Sequence, residues 1–339
     1  MPDTAPDFSI IMPVWNRRAA VQRAIDSCLA QDFAAFEVLV VDDGSVDGTP
    51  DAVASYADPR VRLIRHETNR GVCPARNTAV RASLGEWLIF LDSDHEMLPG
   101  CLATIRQCLD TDNCGYRLGF QYLFDDGRVS PTPMPEEPVV GYTEWLRWID
   151  GALWTDALWV TPRHCFEYCM LPDSFALEFS YFLDFAKRFP SRMIPTVLAF
   201  QHTDSPDRLS YLAPPADSEI SKRKARDQAL DWQYVLKKHG GPLRESAPRR
   251  YESVLRNAAI ASGLSGDRRT AVNRSIEALR FRPLSPHAWV TFFLVVAGRQ
   301  ATLLVNRIRA DSRRRGSRRT VNGATSIDLY QSRDAHVTT

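Results

Sequence analysis

Four short apolar runs, each ending on polar residues, constrain the fold of this chain more than any other feature. Phe8-Ser9-Ile10-Ile11-Met12, Val38–Val41, Val61–Ile64 and Trp87–Leu91 read as strands, with Pro13, Asp42 and Asp92 at the ends of the first, second and fourth. Ala19–Ala30, Thr49–Tyr56 and Ala75–Ser83 separate them with helical spacing; Val21, Ile25, Cys28 and Leu29 share one face of the first. Continuous apolar strands alternating with helices predict a parallel sheet covered on both faces. Open sheets of this kind bind ligands at the carboxyl ends of their strands. That rule brings Asp42, Asp43, Asp92 and Asp94 to one edge, although fifty residues separate Asp42 from Asp92.

Composition excludes several function classes. The net charge of +1 leaves no global polycation, so no nucleic-acid partner is expected. The charge is unevenly spread: eight arginines and one aspartate lie between Arg299 and Arg319, and the rest of the chain is net acidic. Seven cysteines are an odd number without a regular framework, which fits a reducing compartment. His164, Cys165 and Cys169 lack a second ligand pair at zinc-like spacing and read as structural. No signal pattern opens the sequence, and the longest apolar stretch, Ala288–Ala297, is too short to span a bilayer. These features predict a cytoplasmic protein.

Farther along, Leu102–Leu109 reads as a helix, Tyr116–Phe124 as a strand and Val129–Val140, rich in proline, as a loop. Phe175–Phe189 is an aromatic-rich helix and Met193–Phe200 a strand; beyond Ser218 the chain reads as all helical, with two helices from Tyr251 to Trp289 joined at Gly263–Asp267. The expected organisation is an α/β domain over residues 1–215, a helical appendage over 216–310 and a basic, polar, disordered tail over 311–339.

Two common nucleotide sites are absent. No G-x-G-x-x-G follows the first strand, and no G-x-x-x-x-G-K-[ST] occurs. Pro13-Val14-Trp15-Asn16 stands after the first strand instead, and Val41-Asp42-Asp43-Gly44-Ser45 after the second. Asn69-Arg70-Gly71 and Ala75-Arg76-Asn77 follow the third, and Leu91-Asp92-Ser93-Asp94 ends the fourth. Asp92 and Asp94 are two apart, so in an extended segment both point the same way. Two carboxylates aimed at one point repel unless a cation lies between them, and a hard divalent ion such as Mg²⁺ or Mn²⁺ suits oxygen ligands.

The four motifs, in this order and each at a strand end, resemble the family-2 glycosyltransferases of the GT-A fold over about residues 8–210. The resemblance implies a Rossmann-like nucleotide-diphospho-sugar transferase domain that takes a nucleotide-sugar donor, a UDP-sugar above all. By that resemblance Asp42 accepts a hydrogen bond from the base, Pro13 and Asn16 line the same pocket, and Arg76 packs near base or phosphates. Asp92 and Asp94 hold the metal, Asp92 also meets the donor, and His202 is a further candidate contact to metal or phosphate. The family's catalytic aspartate on a helix corresponds to Glu178 when the Ala186-Lys187-Arg188 end is matched. Here Leu177 replaces the usual preceding glutamate, and Asp184 is a competing base. Trp148, Trp154 and Trp159 fall in the region that commonly forms the acceptor site.

The implied reaction is inverting, metal-dependent transfer to a glycan or lipid-linked acceptor in polysaccharide biosynthesis. The rival is a catalytically inactive nucleotide-sugar binder or assembly scaffold with the appendage as its working surface. A nucleotidyltransferase is disfavoured, because no glycine- and lysine-rich phosphate loop follows the first strand. Trp289, Phe292, Phe293, Leu294 and Val296, followed by Leu303, Leu304, Val305 and the arginines, predict peripheral contact with an anionic membrane at its inner face.

Overall fold

The alternation of side chains along each strand decides which helix covers which face. The computed structural model describes residues 5–112, 116–152, 155–175, 178–202 and 219–303. Its first half runs β1 (Phe8–Val14), α1 (Arg18–Leu29), β2 (Phe36–Asp42), α2 (Thr49–Ala54), β3 (Val61–Arg65), α3 (Val72–Ala82) and β4 (Trp87–Phe90). The four strands pair in parallel in the order β3-β2-β1-β4. β1 and β2 are buried at every position. Phe8, Ile10, Met12 and Val14 share a cluster with Val21, Ala24, Ile25 and Cys28 of α1. The alternate residues Ile11, Leu39 and Val41 share another with Cys73, Ala75 and Ala79 of α3. Period-2 side chains on a strand buried on both sides produce this division.

Next come β5 (His95–Met97), α4 (Cys101–Asp112), β6 (Arg117–Phe124), β7 (Val129–Ser130), β8 (Val139–Val140), α5 (Tyr142–Gly151), β9 (Leu158–Pro162), α6 (Phe179–Arg188) and β10 (Ser191–Gln201). They extend the sheet as β4-β9-β6-β10-β5. β9 runs antiparallel to both β4 and β6, so the sheet is mixed and not the all-parallel one the first hundred residues predict. The proline-rich stretch expected as a loop contributes two short strands, β7 on β6 and β8 on β10.

Among the described residues four helices follow: α7 (Glu219–Ser246), α8 (Pro248–Ser265), α9 (Arg268–Phe281) and α10 (Pro286–Ala297). Their ends obey local chemistry. Gly266 at φ +97° stops α8, Asp267 accepts the Thr270 N–H at the start of α9, and Ser285 accepts the Ala288 N–H at the start of α10. The expected turn at 263–267 is thus the Gly266–Asp267 pair. Residue 215 and the tail 311–339 lie outside the described residues. The helices from α7 onward share one apolar cluster with α5 and α6, including Trp145, Ile149, Leu183, Ala229, Trp232, Val235, Leu255 and Ala278.

α7 carries a buried carboxylate into that contact. Asp231 is 8% exposed. Burial pushes its carboxyl up; the Ser180 hydroxyl draws it down, and Asp184 adds to the rise, leaving it at about 6 against an ordinary 3.8. A folded-state value above the unfolded one means that the native state holds this proton more tightly. Its contribution to stability is therefore full below about pH 4 and lost as pH rises through about 6. Asp231→Asn should match the parent at pH 4 and exceed it at pH 8 by roughly 2–3 kcal/mol in urea unfolding. Equal stability of the two chains at pH 8 would contradict this placement of the carboxylate.

Candidate active site

The loops at the carboxyl edge are stapled to each other by side chains from the sequence motifs. Asn16, at φ +51°, donates its N–H to Ser45 Oγ (2.8 Å) and accepts the Val46 N–H on Oδ1 (2.9 Å), tying the loop after β1 to the loop after β2. Asp42 is fully buried; it accepts the Ser45 N–H (3.3 Å) and lies 3.3 Å from Arg65 Nε. Asp43 holds the loop after β3. Its carboxylate accepts the N–H groups of Arg70 (3.0 Å) and Gly71 (2.7 Å) and meets His66 Nδ1 (2.7 Å). Gly44, at φ +77°, passes so close to that loop that a Cβ would lie 2.8 Å from the Thr68 carbonyl carbon, which excludes larger residues. Pro13 lies within β1, opposite Val41, and is buried.

The acidic motif ends β4 in a turn, closed by the His95 N–H on the Asp92 carbonyl (2.9 Å), rather than in the extended segment expected. The carboxylates converge nonetheless. Ligand atoms of Asp92, Asp94 and His95 all lie within 4.8 Å of one another, the one such group of three among the described residues. Each carboxylate also has its own guanidinium: Arg76 Nη2 lies 2.6 Å from Asp92 Oδ1, and Arg17 Nη1 lies 3.0 Å from Asp94 Oδ2. Mutual repulsion therefore does not by itself require a metal ion. Burial pushes the Asp92 carboxyl up, but Arg76, followed by His95 and Arg17, outweighs it and holds the value at about 2. One side of Asp92 stays open, with 39% of the side chain exposed. Both ring nitrogens of His95 are buried without a hydrogen-bond partner, and its ring packs 4.6 Å from that of Tyr122. Two carboxylates plus an imidazole nitrogen left free of hydrogen bonds form a donor set that fits a hard or borderline divalent ion.

Arg76 reaches further. Its Nη1 is ion-paired with Glu178, the residue just before α6, so one guanidinium bridges Asp92 and Glu178. Glu178 is thereby brought to the acidic edge, although 86 residues of sequence separate it from Asp92. Its side chain stays 28% exposed. Asp184 lies elsewhere on α6, bound to Tyr234 (2.5 Å), Lys238 (2.6 Å) and His239 (2.8 Å). His202 donates its backbone N–H to the Asp94 carbonyl (3.1 Å), but its ring pairs with Glu96; His95 joins the acidic pair instead. Trp148 and Trp159 are buried at 8% and 7% exposure, the first donating to the Pro133 carbonyl; Trp154 lies outside the described residues. Sequence reasoning missed His95 and Arg17. The only signal for either is adjacency, to Asp94 and to Asn16.

Comparison with known proteins adds the family. Residues 9–167 match the model for glycosyl transferase family 2, a span that holds the strand-end motifs and stops before Glu178. The succinoglycan biosynthesis protein ExoO of Rhizobium meliloti is 45% identical over 108 residues, 32% of this chain and 31% of that protein. The UDP-Glc:alpha-D-GlcNAc-diphosphoundecaprenol beta-1,3-glucosyltransferase WfgD of Escherichia coli is 42% identical over 86 residues, 25% of this chain and 34% of that protein. The chain thus spans about a third of the length of these relatives. Among solved structures, S. aureus TarS 1–349 in complex with UDP-GlcNAc superimposes with a TM-score of 0.57 at 17% identity, over 91% of this chain and 92% of that one. The mannosyltransferase PcManGT of Pyrobaculum calidifontis, in complex with GDP-Man and Mn²⁺, gives 0.50 at 20% identity, over 90% and 88%. At such identities the likeness fixes the fold alone, which is GT-A.

The staple at Asp43 generates a test. Asp43→Ala leaves one buried and one part-buried N–H group, and His66 Nδ1, without their partner, so it should cost about 3 kcal/mol of stability. Urea unfolding measures this, and a loss below about 1 kcal/mol would contradict the role, since one orphaned buried donor alone costs that much.

Proposed function

Residues 9–167 form a family-2 glycosyltransferase domain, and from that premise we propose that this chain transfers a sugar, with inversion, from a UDP-sugar to a glycan or lipid-linked acceptor. The observation that carries the reading is Arg76, which joins the donor-side carboxylate Asp92 to the candidate base Glu178. Asp42 receives a hydrogen bond from the base, Pro13 and Asn16 line its pocket, and the loops stapled by Asn16 and Asp43 keep that pocket in shape. Asp92 and Asp94, with His95, hold Mg²⁺ or Mn²⁺, which when bound neutralises charge on the departing diphosphate. His202 supports the group through its bond to the Asp94 carbonyl. The likeness to a UDP-GlcNAc-bound and a Mn²⁺-bound structure supports the donor class and the ion. The undecaprenol-linked acceptor in the name of WfgD supports a lipid-linked acceptor.

An acceptor hydroxyl attacks well only if its proton leaves as the new bond forms. Glu178 takes that proton while the hydroxyl oxygen attacks the anomeric carbon opposite the leaving diphosphate. Arg76 keeps Glu178 at the cleft and sets its distance from Asp92. Positioned proton transfer of this kind is worth roughly 10²- to 10⁴-fold. Glu178→Gln should therefore keep donor affinity while kcat falls at least about a hundredfold; retention within a few-fold would pass the role to another residue. Asp92→Asn should abolish metal-dependent donor hydrolysis without unfolding the chain. An inactive binder or scaffold would show nucleotide-sugar binding and no hydrolysis across a donor panel with Mn²⁺.

Peripheral contact with an anionic membrane face belongs to the same reading. No helix among the described residues is long and apolar enough to cross a membrane. α10, by contrast, exposes Trp289 (45%), Val290 (46%), Phe293 (61%) and Val296 (42%), and the arginine-rich sequence 299–319 follows it. Apolar rings beside arginines suit an interfacial helix, each basic group near such a surface contributing about 1 kcal/mol. The chain should sediment with vesicles rich in anionic lipid and release at high salt; absence from vesicles at low salt would remove this contact.

A further inference from the structure

The family match stops at residue 167, yet the helix that packs on α6 begins at Glu219. Arg223, Asp227, Asp231, Tyr234 and Lys238 recur along α7 at spacings of four, four, three and four, which places them on one face. The face is polar, and its members act on α6 or on the segment just before it. Asp227 Oδ2 accepts the backbone N–H of Phe175 (3.0 Å). Arg223 lies 3.8 Å from that carboxylate, with its guanidinium 5.2 Å from the Phe175 ring centre. Asp231 is buried on the same face, and Tyr234 and Lys238 both bind Asp184.

Docking alone does not need these groups, because Ala229, Trp232 and Val235 already bury α7 in the shared core. The polar stripe instead fixes particular atoms. Phe175 packs against Gly71, at φ +103°, where a Cβ would come within 2.9 Å of its ring, and the Gly71 N–H is the one held by Asp43. Asn77 of α3 exchanges two hydrogen bonds with the backbone of Leu171 (2.9 and 3.2 Å). The 171–175 segment is thus fastened to the donor loops on one side and to α7 on the other, three residues before Glu178 in the chain.

We propose that Asp227 of α7 is a positioning residue for Glu178, holding the Phe175 peptide so that Glu178 and the donor-side loops keep their spacing. The proposal rests on the glycosyltransferase reading for its effect on turnover, but not for the clamp itself.

The test compares the full chain with Asp227→Ala, Asp227→Asn and Arg223→Ala. In Asp227→Ala, hydrogen exchange at the Phe175 amide should quicken at least about tenfold, the scale of a lost hydrogen bond to a charged acceptor. UDP affinity in the presence of Mn²⁺, by titration calorimetry, should stay within about twofold, while kcat falls about tenfold or more, in line with the sensitivity of catalysis to small misplacement. Asp227→Asn retains a carbonyl acceptor and should recover most of both losses. Arg223→Ala, at a more exposed position, should shift exchange and kcat in the same direction by less, and it keeps the test open if Asp227→Ala does not fold. Unchanged Phe175 exchange in a folded variant overturns the clamp. Unchanged kcat, or UDP affinity falling in parallel with kcat, overturns the positioning role. A parent chain that binds UDP with Mn²⁺ but transfers from no donor removes the positioning role, whereas the exchange result still decides the clamp.

Discussion

Arg76 is 7% exposed and carries a charge that water barely reaches, so it must be paid for by carboxylates placed with care. Two supply that compensation, Asp92 from the end of β4 and Glu178 from the start of α6, and Phe90 lies under the guanidinium at 5.7 Å. Removing either carboxylate would leave a buried charge partly unmatched. The pairings therefore tie the α/β half of the molecule to α6, the helix that leads on to the shared core. Other features of the cleft follow from this tie: the closeness of Glu178 to the acidic turn, the need to hold α6 from behind, and the load on the 171–175 segment.

The first half of the fold was legible because burial on both faces writes itself as unbroken apolar runs. β1 to β4 fall within a residue or two of those runs. α3 begins at Val72 rather than at Ala75 because Pro74 sits in its first turn, where the missing N–H costs nothing. β5 was not legible, being three residues long, and β9 was not because Leu158-Trp159-Val160-Thr161-Pro162 has neither alternation nor turn signals to set it apart. α5 escaped for a similar reason. Its Trp145, Leu146, Trp148 and Ile149 form a helical face only when the starting point at Gly141 is known. Those omissions hid the antiparallel insertion that makes the sheet mixed.

The site divides along the same line. Asp42, Asn16, Arg76, Asp92 and Asp94 could be read because a strand end is a place that the sequence marks, and the structure gathers them at one edge. Glu178 needed the helix register from Ala186 to Arg188, and its partner Arg76 could not be inferred from spacing. His95 and Arg17 carry no periodic signal; only the turn after Asp92 and the loop after β1 give them a direction. The arginines also change the electrostatic argument. Asp92 and Asp94 are each matched by a guanidinium, so a divalent ion entering the group would compete with fixed cations as well as with water. A cleft arranged this way favours a ligand that brings its own negative charge along with the ion, as a nucleotide diphosphate does.

The helices after residue 218 then take on a meaning that their composition conceals. A purely structural appendage would meet α6 with apolar residues and leave its charges in solvent. α7 does the first with Trp232 and Val235, yet it also turns Asp227, Asp231 and Lys238 toward α6 and the segment before it. Asp231 is the informative member, because burial holds its carboxyl at about 6 and an aspartate in that position costs stability at neutral pH. Groups that lower stability where an apolar residue would fit are most readily understood as fixing one geometry among several that the core alone would allow. On this argument the second half of the chain specifies where α6 begins, and the position of Glu178 depends on helices that none of the strand-end motifs foretell.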